Sequence, residues 1–119
     1  MLNIVVGGQI DKDMVARKIR EIGKEKVSVV IMSDIQAAMA IKAGNADYYF
    51  GACNTGGGGA LAMAIALLGM NLCATVSMPG KIKSDAEIQN EVKNGKKAFG
   101  FTPQHADQVL PVIMKEILK

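Results

Sequence analysis

Ala46-Asp-Tyr-Tyr-Phe-Gly-Ala-Cys-Asn-Thr-Gly-Gly-Gly-Gly-Ala-Leu-Ala-Met-Ala-Ile-Ala-Leu-Leu68 carries no charge after Asp47 and reads as strand, loop and helix in succession. Ala46 to Gly51 is the strand. Ala60 to Leu68 are good helix formers apart from Ile65. Between them, four consecutive glycines follow a cysteine, an asparagine and a threonine. Glycine adopts positive φ without steric cost and lets another molecule come close to the main chain. Placed where a helix begins, such a run presents free N–H groups at the positive end of the helix dipole. The stretch therefore predicts a loop that binds phosphate or carboxylate and carries a reactive thiol, Cys53.

Outward from this loop, the chain alternates strand and helix. Leu2 to Val6 is a short β-rich run closed by Gly7-Gly8, and Asp11 to Lys24 has helical spacing with Met14, Val15, Ile19 and Ile22 on one side. Val27 to Met32 is a continuous apolar run of the kind buried on both faces of a sheet. Ser33 caps a helix through Lys42, ended by Gly44. Leu72 to Met78 is a fourth strand, broken at Pro79-Gly80. Ser84-Asp-Ala-Glu87 has the capping-box pattern and opens a helix to about Asn94. Lys97 to Phe101 is a fifth strand. Thr102-Pro103 then starts a last helix in which Pro111 predicts a kink or a break.

Five strands each followed by a helix predict one α/β domain over residues 1–119. The architecture is a Rossmann-like three-layer α/β/α sandwich around a five-stranded parallel sheet, because parallel strands need helical crossovers. Ligands of such sheets sit outside the carboxyl ends of the strands, where strand order reverses. If the first and third strands are neighbours, Gly7, Gly8 and Gln9 face Cys53 to Gly59 across one crevice, with Asp11 close by.

Composition removes several function classes. Net charge is +3 with the basic residues scattered, and two tyrosines, three phenylalanines and no tryptophan leave little to stack on bases. Nucleic acid is not an expected partner. Two cysteines and one histidine suit neither a disulfide scaffold nor a metal site, and no cofactor is expected. The N-terminus lacks the basic start and long apolar run of a signal peptide, so a cytoplasmic protein is expected. Tyr48 to Gly80 lacks charge, but glycine clusters cut its helix to roughly ten residues, half of the ~20 a membrane span needs.

The loop fails two familiar patterns. Ala60-Leu61 stand where a P-loop needs lysine and a hydroxyl residue. Leu61 stands where a dinucleotide fingerprint needs its last glycine, and no acidic residue occurs before Asp85. The glycines also suit tight packing of helix on strand, and Cys53 also suits a small buried hydrophobe. Its position at a strand end before a helix start argues for a lowered thiol pKa instead. Cys73, inside a strand, reads as core. Asn54 and Thr55 suit both a helix cap and a ligand contact, and His105 reads as a solvated surface residue.

Two resemblances follow. Ala37-Ala-Met39, Asp47 to Gly56 and Ala98-Phe-Gly100 make the whole chain similar to the YhfU-like family of small bacterial proteins with no assigned activity. Asp47, Cys53, Thr55, Gly56 and Gly58 also resemble, in register, the central motif of the ribose-5-phosphate isomerase B and galactose-6-phosphate isomerase family. That second resemblance implies a sugar-phosphate isomerase in which Cys53 removes a carbon-bound proton, while Thr55 and the amides of Gly56 to Gly58 stabilise the enediolate. The chain departs from it at Gly8-Gln9, where that family has Asp-His. It departs again at Met78 to Lys83, where that family has a histidine-containing loop.

The combined expectation is a protein that binds a small anionic metabolite, with Cys53 and Thr55 catalytic. Gly7, Gly8, Gln9, Asp11, Asn54, Gly56, Gly57, Gly58 and Gly59 are the expected ligand contacts. The alternative is a non-catalytic regulatory or phosphotransferase-type carrier subunit. The apolar circumference of the third helix, together with the isomerase resemblance, predicts a homodimer or higher homo-oligomer.

Overall fold

A computed structural model describes all 119 residues. Its main sheet has five parallel strands: β1 (Leu2–Gly8), β2 (Val27–Ile31), β3 (Tyr48–Ala52), β4 (Cys73–Thr75) and β7 (Ala98–Phe101), in the order β2-β1-β3-β7-β4. A small antiparallel hairpin, β5 (Ser77–Met78) with β6 (Lys81–Ile82), caps the carboxyl end of β4. Five α-helices cover the two faces: α1 (Lys12–Gly23), α2 (Asp34–Lys42), α3 (Ala62–Leu68), α4 (Asp85–Lys93) and α5 (Ala106–Ile117). The fold is the three-layer α/β/α sandwich that the alternation of elements predicts.

Two cores separate the layers. On one face α1, α4 and α5 bury Val15, Ile19, Ile88, Val109 and Ile113 against Ile4, Val6, Phe50, Phe99 and Phe101. On the other, α2 and α3 bury Ala37, Ala38, Ile41 and Ala64 against Val5 and Tyr49. Helix starts follow the capping chemistry. The Ser33 hydroxyl accepts from the Gln36 amide at 3.2 Å, and the Gln36 side chain accepts from the Ser33 amide at 3.3 Å. Ser84 and Glu87 repeat the exchange ahead of α4 at 3.2 and 2.9 Å. These pairs satisfy amides that the first helical turn leaves open.

Five local expectations need correction. β2, expected to be buried on both faces, is an edge strand with Val30 and Ile31 exposed. The strand expected over Leu72 to Met78 ends at Thr75, and Ser77–Met78 turn back into the hairpin at Pro79-Gly80. The third helix begins at Ala62, with Leu61 at its cap position and no side-chain cap bond. Ile22 is 36% exposed, and Ala16 and Gly23 complete the buried face of α1 with Val15 and Ile19. Pro111 neither breaks nor ends α5. It lies on the exposed side, and the carbonyl its missing N–H would have served belongs to exposed Asp107.

Connectivity places the crevice. From β1 the chain goes out to the edge strand β2 through α1, then crosses back over β1 to β3 through α2. α1 and α2 lie on opposite faces, so the carboxyl ends of β1 and β3 part at a topological switch point. No helix of the chain is long and apolar enough to cross a membrane.

Phe99 is fully buried and packs its ring 5.6 Å from that of Phe50, joining β7 to β3. Phe99→Ala is expected to cost about 3–5 kcal/mol of stability, read as a lower urea midpoint with an unchanged slope.

Candidate functional site

Cys53 follows β3 by one residue and is 3% exposed. Its sulfur lies 3.2 Å from the Thr55 hydroxyl and 3.1 Å from the Gly56 carbonyl, and accepts from the Ala60 amide at 3.4 Å. As a thiol it donates its hydrogen to Gly56. Once ionised it keeps the Ala60 amide and the Thr55 hydroxyl as donors, an arrangement that favours the charged form. Burial pushes this thiol up. The Thr55 hydroxyl and the amides of Ala60, Thr55 and Gly59 outweigh that and hold it below its ordinary value. Cys73 in β4 goes the other way: burial raises it, and Lys96 offsets only part of the rise.

The four glycines divide into packing and cleft positions. Gly56 has φ +87°, and a Cβ there would lie 2.3 Å from the Ser77 carbonyl oxygen. A Cβ on Gly57 would lie 1.8 Å from the Thr75 hydroxyl oxygen. These two let the loop run close against β4 and the hairpin. Gly58 is exposed, and Gly59 faces the Gln9 side chain, whose Cδ would be 3.1 Å from an added Cβ.

The amides divide as well. Gly56 donates to the Cys53 carbonyl at 3.1 Å, so its N–H is not free for a ligand. Those of Asn54, Gly57 and Gly58 donate to no group of the protein.

Gln9, Ile10, Cys53, Asn54, Thr55 and Gly59 line a cleft of about 380 Å³ at the switch point. That volume falls in the range of small-molecule sites, ~300–1,000 Å³. Two clefts are larger. One of about 480 Å³ lies between Leu2 and Leu118, at the amino ends of the strands. The other, about 490 Å³, runs beside α2 past Ile35 and Met39 and has no titratable side chain. The first is lined by Glu25, Lys26 and Lys119 but lies away from the carboxyl ends of the strands, so the smaller cleft, which holds the Cys53 thiol at the switch point, is the candidate.

The structure thus brings Gln9, Asn54, Thr55 and Gly59 together around Cys53. Gly7 and Gly8 lie behind this wall, in β1. Asp11 is exposed at the start of α1 with φ 56° and makes no side-chain cap bond. It does not line the cleft; the neighbouring Ile10 does. His105 is half-buried rather than solvated, its Nδ1 2.6 Å from the Thr102 hydroxyl at the end of β7.

Sequence reasoning missed Asp34. Its carboxylate accepts from the Gly8 amide, from the Tyr49 hydroxyl at 3.1 Å and from the Gln9 side-chain amide at 3.4 Å. As the first residue of a capped helix it reads as an ordinary helix-start acid, and nothing local signals that it faces β1.

A family model described as "Protein of unknown function DUF2620" matches residues 2–117. Three proteins named "Uncharacterized protein YhfU", from Escherichia coli K12, Escherichia coli O6:H1 and Shigella flexneri, are each 36% identical to the chain over 117 residues. Each alignment covers 98% of this chain and 99% of the relative. No solved structure matches the chain.

Reactivity gives the direct check on the two thiols. Alkylation rate follows the thiolate fraction, which rises at lower pH for a depressed pKa and at higher pH for a raised one. Brief iodoacetamide treatment at pH 7 is expected to label Cys53 well ahead of Cys73, by peptide mass. The preference should shrink as pH passes the ordinary thiol value of ~8.5. Equal labelling at pH 7 would contradict the assignment.

Proposed function

The chain belongs to the family described as protein of unknown function DUF2620, a membership that names no substrate, and from the geometry of the site we propose that it binds a small phosphate- or carboxylate-bearing metabolite in the cleft between β1 and β3. Its activity is proton transfer on a sugar phosphate of the isomerase kind. The observation that carries this reading is the Cys53 sulfur, held among amides and the Thr55 hydroxyl at a cleft wall on the switch point.

In this reaction the Cys53 thiolate takes a proton from the carbon beside the substrate carbonyl, and the electron pair of that C–H bond moves into an enediolate. The charge arriving on oxygen meets the unspent amide of Asn54, which lines the cleft. The protonated sulfur returns the proton to the former carbonyl carbon, while the hydroxyl proton of the second carbon passes to the former carbonyl oxygen and that second carbon becomes the new carbonyl. Thr55 keeps the sulfur oriented through both steps. Gln9 offers its side-chain amide from the opposite wall.

No lysine or arginine lines the cleft. Affinity for an anion then rests on backbone donors, and binding in the millimolar range is expected. At ten times Kd the bound ligand adds about 1.4 kcal/mol, which raises Tm by roughly 5 °C in a domain of this size.

The test assays a panel of pentose and hexose phosphates with the native protein and Cys53→Ala, alongside thermal shifts with the same compounds. Cys53→Ala is expected to lose at least a hundredfold in turnover and to keep the thermal shift. Unchanged turnover removes the thiol from the mechanism. A mass gain of one phosphate at Cys53 from a phosphorylated donor, without turnover, favours the carrier reading instead.

The proposal includes a homodimer. α3 bears no charged residue, and Met63 and Ile65 on its outer side are 38% and 36% exposed. On α2, Ile35 and Met39 are 57% and 49% exposed. A two-fold contact between such faces sets no like charges opposite each other. Light scattering at micromolar concentration is expected to give twice the 12.6 kDa chain mass; the mass of a single chain overturns the dimer.

A further inference from the structure

Tyr49 is fully buried in β3, and its hydroxyl is the one polar group that β3 sends into the α2/α3 layer. A slot in the sheet receives it. Gly7 and Gly51 are register partners across β1 and β3. A Cβ on Gly7 would stand 2.9 Å from the Tyr49 hydroxyl oxygen, and one on Gly51 would stand 3.1 Å from it. Two absent side chains therefore seat this phenol. The hydroxyl donates to the Ala60 carbonyl at 2.5 Å and shares its hydrogen with the Asp34 carboxylate at 3.1 Å. Ala60 is the same residue whose amide donates to the Cys53 sulfur at 3.4 Å.

We propose that Tyr49 is a positioning residue which fixes Ala60, and through its amide sets the acidity of the Cys53 thiol. Asp34 steadies the phenol from α2 and, through Gly8 and Gln9, ties it to the opposite wall of the cleft. The inference rests on the reading of Cys53 as the reactive group, and it adds residues outside the cleft that control that group.

No charge competes with the hydrogen bonds on the sulfur, of which the Thr55 hydroxyl comes first and the Ala60 amide next. Sequence-remote groups do not titrate against Cys53: what acts on its sulfur is burial, the Thr55 hydroxyl and the amides of Ala60, Thr55 and Gly59. No carboxylate, amine or imidazole from β1, β7, α3 or the hairpin lines its cleft. The titratable neighbours of Tyr49 are Asp34 and Cys73, and its phenol is pushed far above its usual value by burial first and then by the Asp34 carboxylate. Tyr49 thus remains a hydrogen donor at every pH at which the thiol titrates.

The experiment measures the pH profile of iodoacetamide alkylation at Cys53 by peptide mass, with Cys73 in the same molecule reporting general loosening. Tyr49→Phe keeps the ring and removes the anchor. Its Cys53 rate at pH 7 is expected to fall roughly three- to tenfold, the equivalent of about one hydrogen bond, and to converge with wild type above pH ~10 as both thiols ionise. Cys73 should not accelerate. Asp34→Asn retains an acceptor for Gly8 and Tyr49 and is expected to keep the wild-type profile.

A Tyr49→Phe profile that superimposes on wild type overturns the proposal, as does faster labelling at both cysteines. Should Tyr49→Phe fail to fold, the wild-type protein decides by NMR. The hydroxyl proton of Tyr49 and the amide proton of Ala60 are expected to shift with the same midpoint as Cys53, and a Tyr49 proton indifferent to that midpoint overturns the coupling. None of these readouts requires a substrate, so a failure of the proposed isomerase activity leaves them intact and distinguishable.

Discussion

The parallel pairing of β1 with β3 is the constraint on which the site depends. Val6 lies against Phe50, Gly7 against Gly51 and Gly8 against Ala52. The pairing outlasts the strands, since the amides of Gln9 and Ile10 both donate to the Ala52 carbonyl, at 2.8 and 3.3 Å. These bonds lay the β1 turn across the start of the glycine loop and bring Gln9 onto Gly59. Two segments more than forty residues apart thereby become the walls of one cleft. A slip of one residue would turn Tyr49 to the opposite core and part Gly51 from Gly7, abolishing the slot that seats the phenol.

The loop that follows β3 is held from both sides, which is what makes its amides directional. On the β4 side, Gly56 and Gly57 touch the hairpin carbonyls and the Thr75 hydroxyl too closely for any side chain. On the α2 side, Tyr49 grips Ala60. Between these fixed points the Cys53 sulfur collects donors. A buried thiolate without them would be disfavoured by its lost hydration, and burial does oppose ionisation here; the hydroxyl and amides outweigh it. The acidity of this thiol is thus a property of packing around the loop, since no cation lies beside it.

Much of the fold was legible because its signals are local. Both capping boxes, at Ser33–Gln36 and Ser84–Glu87, need only four residues to be read. The charge-free run of β3 announces a strand buried on two faces, whereas the similar run of β2 lies at the sheet edge and leaves Val30 and Ile31 exposed. Strand order was not legible in the same way. That β7 lies between β3 and β4 is decided by which surfaces fit after α3 and α4 have crossed the sheet, and no residue encodes it singly. The adjacency of β1 and β3 could be posed as a condition and no more. The late start of α3 has a local cause that composition hides: Gly57 and Leu61 close a separate turn at 2.9 Å before the helix begins. Asp34 escaped notice for the converse reason, because a local role at the head of α2 was enough to account for it.

The division of the loop amides bears on what chemistry a cation-free cleft supports. The Thr55 hydroxyl and the Ala60 amide are spent on the sulfur, whereas the Asn54 amide at the cleft wall is left over. In the proposed reaction, sulfur loses its negative charge at the moment the substrate oxygen gains one. The charge then moves from the donors on sulfur toward the Asn54 amide within a single loop. The cleft carries the same net charge before and after that transfer, and a donor held in place by the loop lowers its barrier. The proposed reaction therefore suits a ligand whose own charge stays constant while a proton shifts internally.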